Sequence, residues 1–211
     1  MNIGILGSGA VGTTLARGFS ARGHDVALGT GHPEDHRALE PAVRVGSFAQ
    51  AAAHGDLVVL AVRWSAVDAI LAELPAGALD GKIVVDTSNP LAYDGGRPSG
   101  VRIPREGSAG QHVAMLLPRA HVVKAFNTVG AALMVDPQLP GGPPDMFICG
   151  DDDDAKRKVA ELCEALRYPA LDVGSLAMSA QLEHLAWLWI SLAMTGRFDA
   201  HAFALLRREK A

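Results

Sequence analysis

Six residues near the start of the chain, Gly7-Ser8-Gly9-Ala10-Val11-Gly12, constrain its fold more than any other stretch. An apolar run before them, Ile3 to Leu6, reads as a buried strand, and an amphipathic stretch, Val11 to Ala21, reads as a helix. A G-x-G-x-x-G sequence at a strand-to-helix turn is the setting in which a dinucleotide pyrophosphate is bound. The first glycine permits the tight turn, the second lets phosphate approach the backbone, and the third lets the helix pack on the strand. The free N–H groups and the positive end of the helix dipole then face the phosphates. The competing reading is a glycine-rich turn that packs a helix on a sheet and binds nothing.

Strand and helix patterns continue in alternation. Strands are expected at Asp25–Leu28, Arg44–Val45, Leu57–Ala61, Ile83–Asp86, His121–Phe126, Met146–Cys149 and Leu171–Val173. Helices are expected at 33–40, 47–53, 65–74, 108–117, 153–166 and 178–194, with the tail from Phe198 to Arg208 continuing as a shorter helix. This βαβ alternation implies an α/β fold: a Rossmann-type, doubly wound parallel sheet with a small C-terminal helical addition. The 211 residues hold no linker-like segment, so one dinucleotide-binding domain is expected over 1–211, with its core at 1–174 and the C-terminal helices at 175–211. Two stretches, Pro90 to Gly107 and Asp136 to Asp145, read as long irregular loops. The first follows a strand whose carboxyl end faces the expected ligand crevice, where long loops are usually functional. In the last helix Leu182, Leu185, Trp189 and Leu192 recur on one stripe.

Composition narrows the class. A hydrophobic share of 49% suits a sheet covered on both faces. A net charge of −4 gives no basic surface for nucleic acid. Cys149 and Cys163 form neither a disulfide framework nor a metal-ligand cluster, which fits a reducing, cytoplasmic setting. Met1 leads straight into the first strand without a signal-peptide pattern, and Leu185 to Met194 is too short to span a bilayer, so no membrane partner is expected.

The end of strand two decides which dinucleotide fits. NAD-binding folds usually place a carboxylate there for the ribose hydroxyls. Here the strand ends Leu28-Gly29-Thr30-Gly31-His32, with no carboxylate to repel a 2′-phosphate. Thr30 offers a hydroxyl, His32 a donor, and Arg63, after the fourth strand, a charge at the adenosine end. NADP(H) is the expected nucleotide. Thr30 as a turn residue and His32 as a solvated loop side chain are the plainer alternatives.

Several segments, in order, carry a family resemblance. They are the glycine fingerprint, Gly29-Thr30, Asp86-Thr87-Ser88-Asn89-Pro90-Leu91, Gly107-Ser108-Ala109-Gly110-Gln111, Val123-Lys124-Ala125-Phe126-Asn127-Thr128, Gly150-Asp151-Asp152 and Leu182 to Ile190. Together they resemble the coenzyme F420-dependent NADP oxidoreductases over nearly the whole chain, and the Lys-Ala-Phe-Asn-Thr segment is the most specific mark. The nucleotide domain of membrane metalloreductases shares that mark. The resemblance implies hydride transfer between NADPH and a deazaflavin, with coenzyme F420 or a flavin as co-substrate. It assigns Gly7, Gly9, Val11 and Gly12 to the phosphate loop and Thr30 to the 2′-phosphate; Ser8, Ala10, Gly31 and His32 are expected at the cofactor beside them. Ala61 and Val62 fall to the adenosine side and Asn89 and Pro90 to the nicotinamide side; Arg63 and Ala125 are expected among the cofactor-binding residues as well. Asn127 falls where the second ring system approaches, so Asn127 and Asn89 are the acceptor-side candidates. The chain departs from the family at Gly31, where an arginine is common; His32, Arg37 or Arg63 would have to replace that guanidinium.

Hydride transfer between two ring systems asks the protein mainly to hold them face to face. No nucleophile–base arrangement, kinase loop or metal-ligand spacing is legible. His112 and His121 read as surface or satisfied core residues, and Asp151 to Asp154 as a helix cap with favourable charges rather than a metal site. Of Trp187 and Trp189, on different sides of the last helix, one is expected in the core and the other at a subunit contact or over the acceptor pocket. The expected assembly is a homodimer acting on a small-molecule co-substrate. Two alternatives are a nucleotide-binding regulatory or interaction module without turnover and a reductase of a small imine or carbonyl compound.

Overall fold

A computed structural model describes residues 1–39 and 41–208; Glu40, the end of one expected helix, and the last three residues lie outside the described residues. The strands are β1 (Asn2–Leu6), β2 (Asp25–Gly29), β3 (Arg44–Gly46), β4 (Leu57–Leu60), β5 (Ile83–Asp86), β6 (Leu91–Asp94), β7 (Arg97–Val101), β8 (His121–Lys124), β9 (Met146–Gly150) and β10 (Ala170–Asp172). The helices are α1 (Ala10–Ser20), α2 (Phe48–His54), α3 (Val67–Ala72), α4 (Ala109–Leu116), α5 (Asp153–Ala165) and α6 (Ser179–Met194). Eight strands form one sheet in the order β10-β9-β8-β5-β4-β1-β2-β3. The chain winds outward in both directions from the β1–β4 pair, the switch point at which doubly wound sheets bind ligands.

The sheet is buried on both faces because its strands are apolar on both. Ile3, Ile5, Val85 and Val123 pack with Leu15 and Phe19 of α1 and Val159 and Leu162 of α5. Leu6, Val58, Leu60, Val84 and Val122 pack with Ala51 of α2 and Val113 of α4. Three helices start on side-chain caps: Ser47 caps α2, Ser108 caps α4 and Asp152 caps α5. The expected capping role of the aspartate run is therefore observed, with Asp151 accepting from Leu176 N at 2.8 Å. Both cysteines are free and buried; burial pushes the Cys149 thiol up to about 11.

Four expectations are corrected. The sheet is not wholly parallel: β9 runs antiparallel to β8, pairing Val123 with Gly150 and Lys124 with Cys149. The segment 125–145 between them contains no long helix to carry the chain back across the sheet, so the next strand enters from the same end. The stretch from Pro90 to Gly107 is not simply a loop, because Leu91–Asp94 and Arg97–Val101 pair as a hairpin. Its turn residues, Gly95 and Gly96, have φ of 53° and 78°, as a two-residue hairpin turn requires.

The tail from Phe198 to Arg208 is not helical. Gly196 ends α6 with φ of 64°, and the backbone beyond it bonds elsewhere. Phe203 O accepts from Asp145 N at 3.1 Å, and Leu205 N donates to Asp145 Oδ2 at 2.6 Å. Finally, the buried face of α6 carries Ser179, Leu182, Glu183 and Ala186 rather than the stripe continuing through Leu185 and Trp189. Trp187 and Trp189 are both half-buried. Trp189 lies over Gly130, stacks on His201 at 4.8 Å and donates from Nε1 to His201 O.

Candidate functional site

The carboxyl ends of five strands finish in one row. Gly29, Leu6, Leu60, Asp86 and Lys124 are successive register partners across β2, β1, β4, β5 and β8. Backbone bonds continue past the row and fix the residues that follow. Gly7 N donates to Gly29 O at 2.9 Å, Ala61 N to Leu6 O at 2.8 Å, and Ala125 N to Asp86 O at 3.2 Å. The expected site residues at 7, 30, 61, 89 and 125 thus lie along one sheet edge, although they are distant in sequence.

The three fingerprint glycines have different physical reasons. Gly7 has φ of 118°, and a Cβ there would meet Ala61 O at 2.3 Å; at Gly12 a Cβ would meet Gly7 O at 1.8 Å. Packing alone accounts for both. Gly9 has an ordinary extended backbone (φ −68°, ψ −176°), and a Cβ there would meet nothing within 4 Å. Packing gives no reason for glycine at this position. Gly9 is also the N-cap of α1, which has no side-chain cap and no acid in its first turn. Ser8 is half-buried, Gly9 and Ala10 are exposed and Val11 is half-buried. An open, uncapped helix N-terminus with a bare approach suits a pyrophosphate.

At the end of β2, Thr30 is buried and its hydroxyl pairs with Ser8 Oγ at 2.8 Å and accepts from His32 N at 3.2 Å. These bonds tie the Gly7–Gly12 turn to the end of β2. Gly31, His32, Arg37 and Arg63 are exposed. His32 Nδ1 lies 3.6 Å from Glu34 Oε1, so a carboxylate flanks the imidazole. A cleft of about 290 Å³ adjoins it, lined by Thr30, Gly31, Pro33, Ser47, Phe48 and Glu73. Ala61 is buried and Val62 half-buried beside Gly7, and a Gly7 Cβ would also meet the Val62 side chain at 2.8 Å.

At the other end, Asn89 is half-buried and Pro90 and Ala125 are buried. Asn89 and Asn127 clasp each other. Asn89 Nδ2 donates to Asn127 O at 2.9 Å, and Asn127 Nδ2 donates to Asn89 Oδ1 at 3.0 Å and to Leu182 O of α6 at 3.1 Å. Asn127 is 5% exposed, so its amide faces the protein, and Asn89 is the member of the pair that reaches the surface. Phe126, between Ala125 and Asn127, has φ of 60°. That left-handed turn costs a non-glycine residue about 1–2 kcal/mol; Phe126 is held in it by burial against Phe19 at 6.3 Å. Ser88 Oγ and Asn127 Oδ1 are the buried side-chain polar atoms without a partner among the described residues. Both lie in this corner, a feature that asks for a functional explanation.

One group has no counterpart in the sequence analysis, and a second appears there only as a satisfied histidine. Asp86, Lys124 and Glu183 form a buried charged cluster: Lys124 Nζ lies 2.8 Å from Asp86 Oδ2 and 2.8 Å from Glu183 Oε1, with all three side chains no more than 2% exposed. The signal was an aspartate and a lysine ending two apolar strands, and a glutamate within an apolar helix. The second group is His112, whose Nε2 meets Asp68 at 2.8 Å and whose Nδ1 meets Glu106 at 3.0 Å, with Trp64 edge-on at 5.1 Å. It ties the segment leaving the β6–β7 hairpin to α3.

Two carboxylates on two ring nitrogens require the imidazolium, which donates from both. Burial opposes that charge, but the bonds to Asp68 and Glu106 outweigh it and raise the His112 pKa above 6.5. The hydrogen bond from His112 in turn holds Glu106 below its ordinary value. Stabilisation by His112 is therefore full below its unfolded value of about 6.5 and is lost as pH rises through the higher folded value. His112→Gln should lower Tm at pH 6 by about 2–4 °C and by less at pH 9. Thermal melts at the two pH values check this, and an equal loss at both would contradict it.

Comparison with known proteins agrees with this geometry. Residues 2–90 match the family described as NADP oxidoreductase, coenzyme F420-dependent. A solved structure of a candidate F420-dependent NADP reductase from Arthrobacter sp. FB24 superposes with a TM-score of 0.90 at 34% identity, covering 98% of this chain and all of that one. The chain belongs to the coenzyme F420-dependent NADP oxidoreductase family. Within reach of the same family, the F420-dependent NADP reductase of Methanocaldococcus jannaschii is 33% identical over 144 residues, 67% of this chain and 64% of that protein. The rat metalloreductase STEAP3 is 34% identical over 182 residues, 86% of this chain. This chain spans about a third of that metalloreductase's length, 35%. Among the described residues no helix is long and apolar enough to cross a membrane.

Proposed function

We propose that this chain binds NADP(H) along the carboxyl edge of its sheet and passes a hydride between the nicotinamide and a second ring system, a deazaflavin of the F420 type or a flavin. The observation that carries the nucleotide site is Gly9, a glycine the protein's own packing does not require, at the uncapped N-terminus of α1. Ala10, Val11 and Gly12 N–H groups would face the pyrophosphate, and Ser8 and Thr30 would order the loop toward the 2′-phosphate. Ala61, Val62 and Arg63 would border the adenosine side, with His32 or Arg63 replacing the guanidinium that Gly31 lacks.

The nicotinamide end falls to Asn89, Pro90, Ala125 and, through Asn89, Asn127. The reduced nicotinamide supplies the hydride; the protein's part is to hold the two rings in reach and keep water away. The hairpin strand β7 packs against α6, so the acceptor would approach beside Asn89, between the hairpin and α6. We read the assembly as a cytoplasmic homodimer joined through α6, whose Leu188 and Met194 are exposed.

The test is NADPH oxidation followed by nicotinamide absorbance, with F420, FMN, FAD or no acceptor, and the same series with NADH. Turnover with F420 or a flavin is expected, with NADPH favoured over NADH by about tenfold, the worth of one charge-assisted hydrogen bond to the 2′-phosphate. Tight NADPH binding without turnover by any acceptor would move the reading to a small imine or carbonyl substrate or to a binding module. Equal use of NADH would show that Gly31 has removed the NADP preference.

A further inference from the structure

The Asp86–Lys124–Glu183 cluster is buried, charged and unused by hydride transfer. Its burial is weak evidence for a stabilising role, because replacing a buried ion pair by apolar groups of similar volume is often neutral or favourable. Its contacts point to another role. Lys124 Nζ donates to Ser88 O at 2.6 Å, while Ser88 N donates to Asp86 Oδ1 at 2.9 Å. Both backbone groups of Ser88 are therefore held by the cluster, and the next residue is Asn89. From the other side, consecutive residues of α6 complete the frame: Leu182 O accepts from Asn127 Nδ2, and Glu183 Oε1 lies 2.8 Å from Lys124 Nζ.

The cluster's charge is also accounted for. Two carboxylates face one ammonium, and the second negative charge rests on the N-terminus of α4. There Ala109 N and Gly110 N donate to Glu183 at 3.1 and 3.2 Å, where a helix dipole favours an anion. Burial works against the Lys124 charge, but Asp86 and Glu183 hold its pKa up.

We infer that Lys124 and Glu183 are positioning residues for the nicotinamide end of the crevice: they lock the Ser88–Asn89 turn between the sheet edge and α6, so that α6 sets where the nicotinamide sits. The inference rests on the nucleotide reading above. It predicts that the two halves of the nucleotide respond differently. The adenosine half is held by the β1–α1 and β2 loops and does not touch this turn; the nicotinamide half does.

The experiment compares 2′,5′-ADP and NADPH binding by titration, with the emission of bound NADPH as a probe of the nicotinamide's surroundings. The first variant is Glu183→Gln, which keeps the Lys124–Asp86 pair. The second is the triple variant Asp86→Asn/Lys124→Met/Glu183→Gln, which leaves no unpaired buried charge and retains one amide oxygen to accept from Ser88 N and one for a single N–H of α4. In both, 2′,5′-ADP affinity should stay within about twofold, while NADPH affinity falls by about tenfold and the emission shift on binding is lost. A parallel fall in both affinities, or no change in either, would overturn the inference. Wild-type protein that binds neither probe would overturn the nucleotide reading and this inference with it; a wild type that binds both, with variants that match it, overturns the inference alone.

Discussion

Gly9→Val should lose NADP(H) affinity by about 100-fold or more while melting within about 2 °C of the parent. The two halves of this expectation come from the same fact. The Gly9 backbone is extended and its surroundings are open, so a side chain there strains nothing in the protein; surface changes of that kind stay within about 0.5 kcal/mol. The branched side chain instead occupies the approach to the α1 N-terminus. Each hydrogen bond lost to a phosphate oxygen is worth about 1.5–3 kcal/mol, so displacing the pyrophosphate from two N–H groups gives the stated loss. Gly12→Val is the informative contrast. Its Cβ would lie 1.8 Å from Gly7 O, so α1 must move off β1, at a cost of about 1–3 kcal/mol or more. Titration with NADPH and a thermal melt on both variants separate the glycine that serves the ligand from the glycine that serves the fold. Retained affinity in Gly9→Val would remove the phosphate site from this loop.

The parts of the molecule that were legible in the sequence are those whose pattern is local. β1, the glycine turn and α1 follow from one apolar run, three glycines and one amphipathic stretch. The five-strand row from Gly29 to Lys124 follows from short apolar runs separated by helices. What was not legible depends on pairing across distance. Asp86 and Lys124 look like polar strand ends until β5 and β8 are placed side by side in register. Glu183 looks like a solvated position until α6 is turned so that Ser179, Leu182 and Ala186 face inward with it. The direction of β9 likewise follows from how residues 125–145 cross the molecule, and no residue type encodes that. The hairpin was legible in principle: Gly95-Gly96 is a two-residue turn, but Pro98 and the register shift between Ala92 and Tyr93 break the alternation that would have marked its strands.

The site shows the same division. Gly7, Gly9 and Gly12 carry their roles in their spacing. Thr30 is expected from the sequence as a hydroxyl at the 2′-phosphate, but its bond to Ser8 depends on β2 lying beside β1. The resemblance puts Asn127 at the approach of the second ring; its amide turns inward to Asn89 and α6, so on the proposed reading it would act on the chemistry through Asn89.

That placement gives Asn127→Leu a specific signature. Leucine has similar bulk but no amide, so Asn89 Oδ1 and Leu182 O lose their shared donor while the cavity stays filled. The stability cost should be about 1–3 kcal/mol, as for a buried hydrogen-bond partner left unpaired. Turnover should fall by about 100-fold, the penalty for about 1 Å of misplacement between reacting groups, with 2′,5′-ADP affinity near that of the parent. A larger isotope effect with deuterated NADPH would place the loss in hydride transfer; unchanged turnover would remove Asn127 from the site. Asn89→Ala breaks the same clasp from the exposed side. If Asn127 works only through Asn89, the double variant should turn over no more slowly than the worse single one, because the second change removes an interaction already gone. Independent, multiplying losses would mean that Asn127 also reaches the nicotinamide or the acceptor directly.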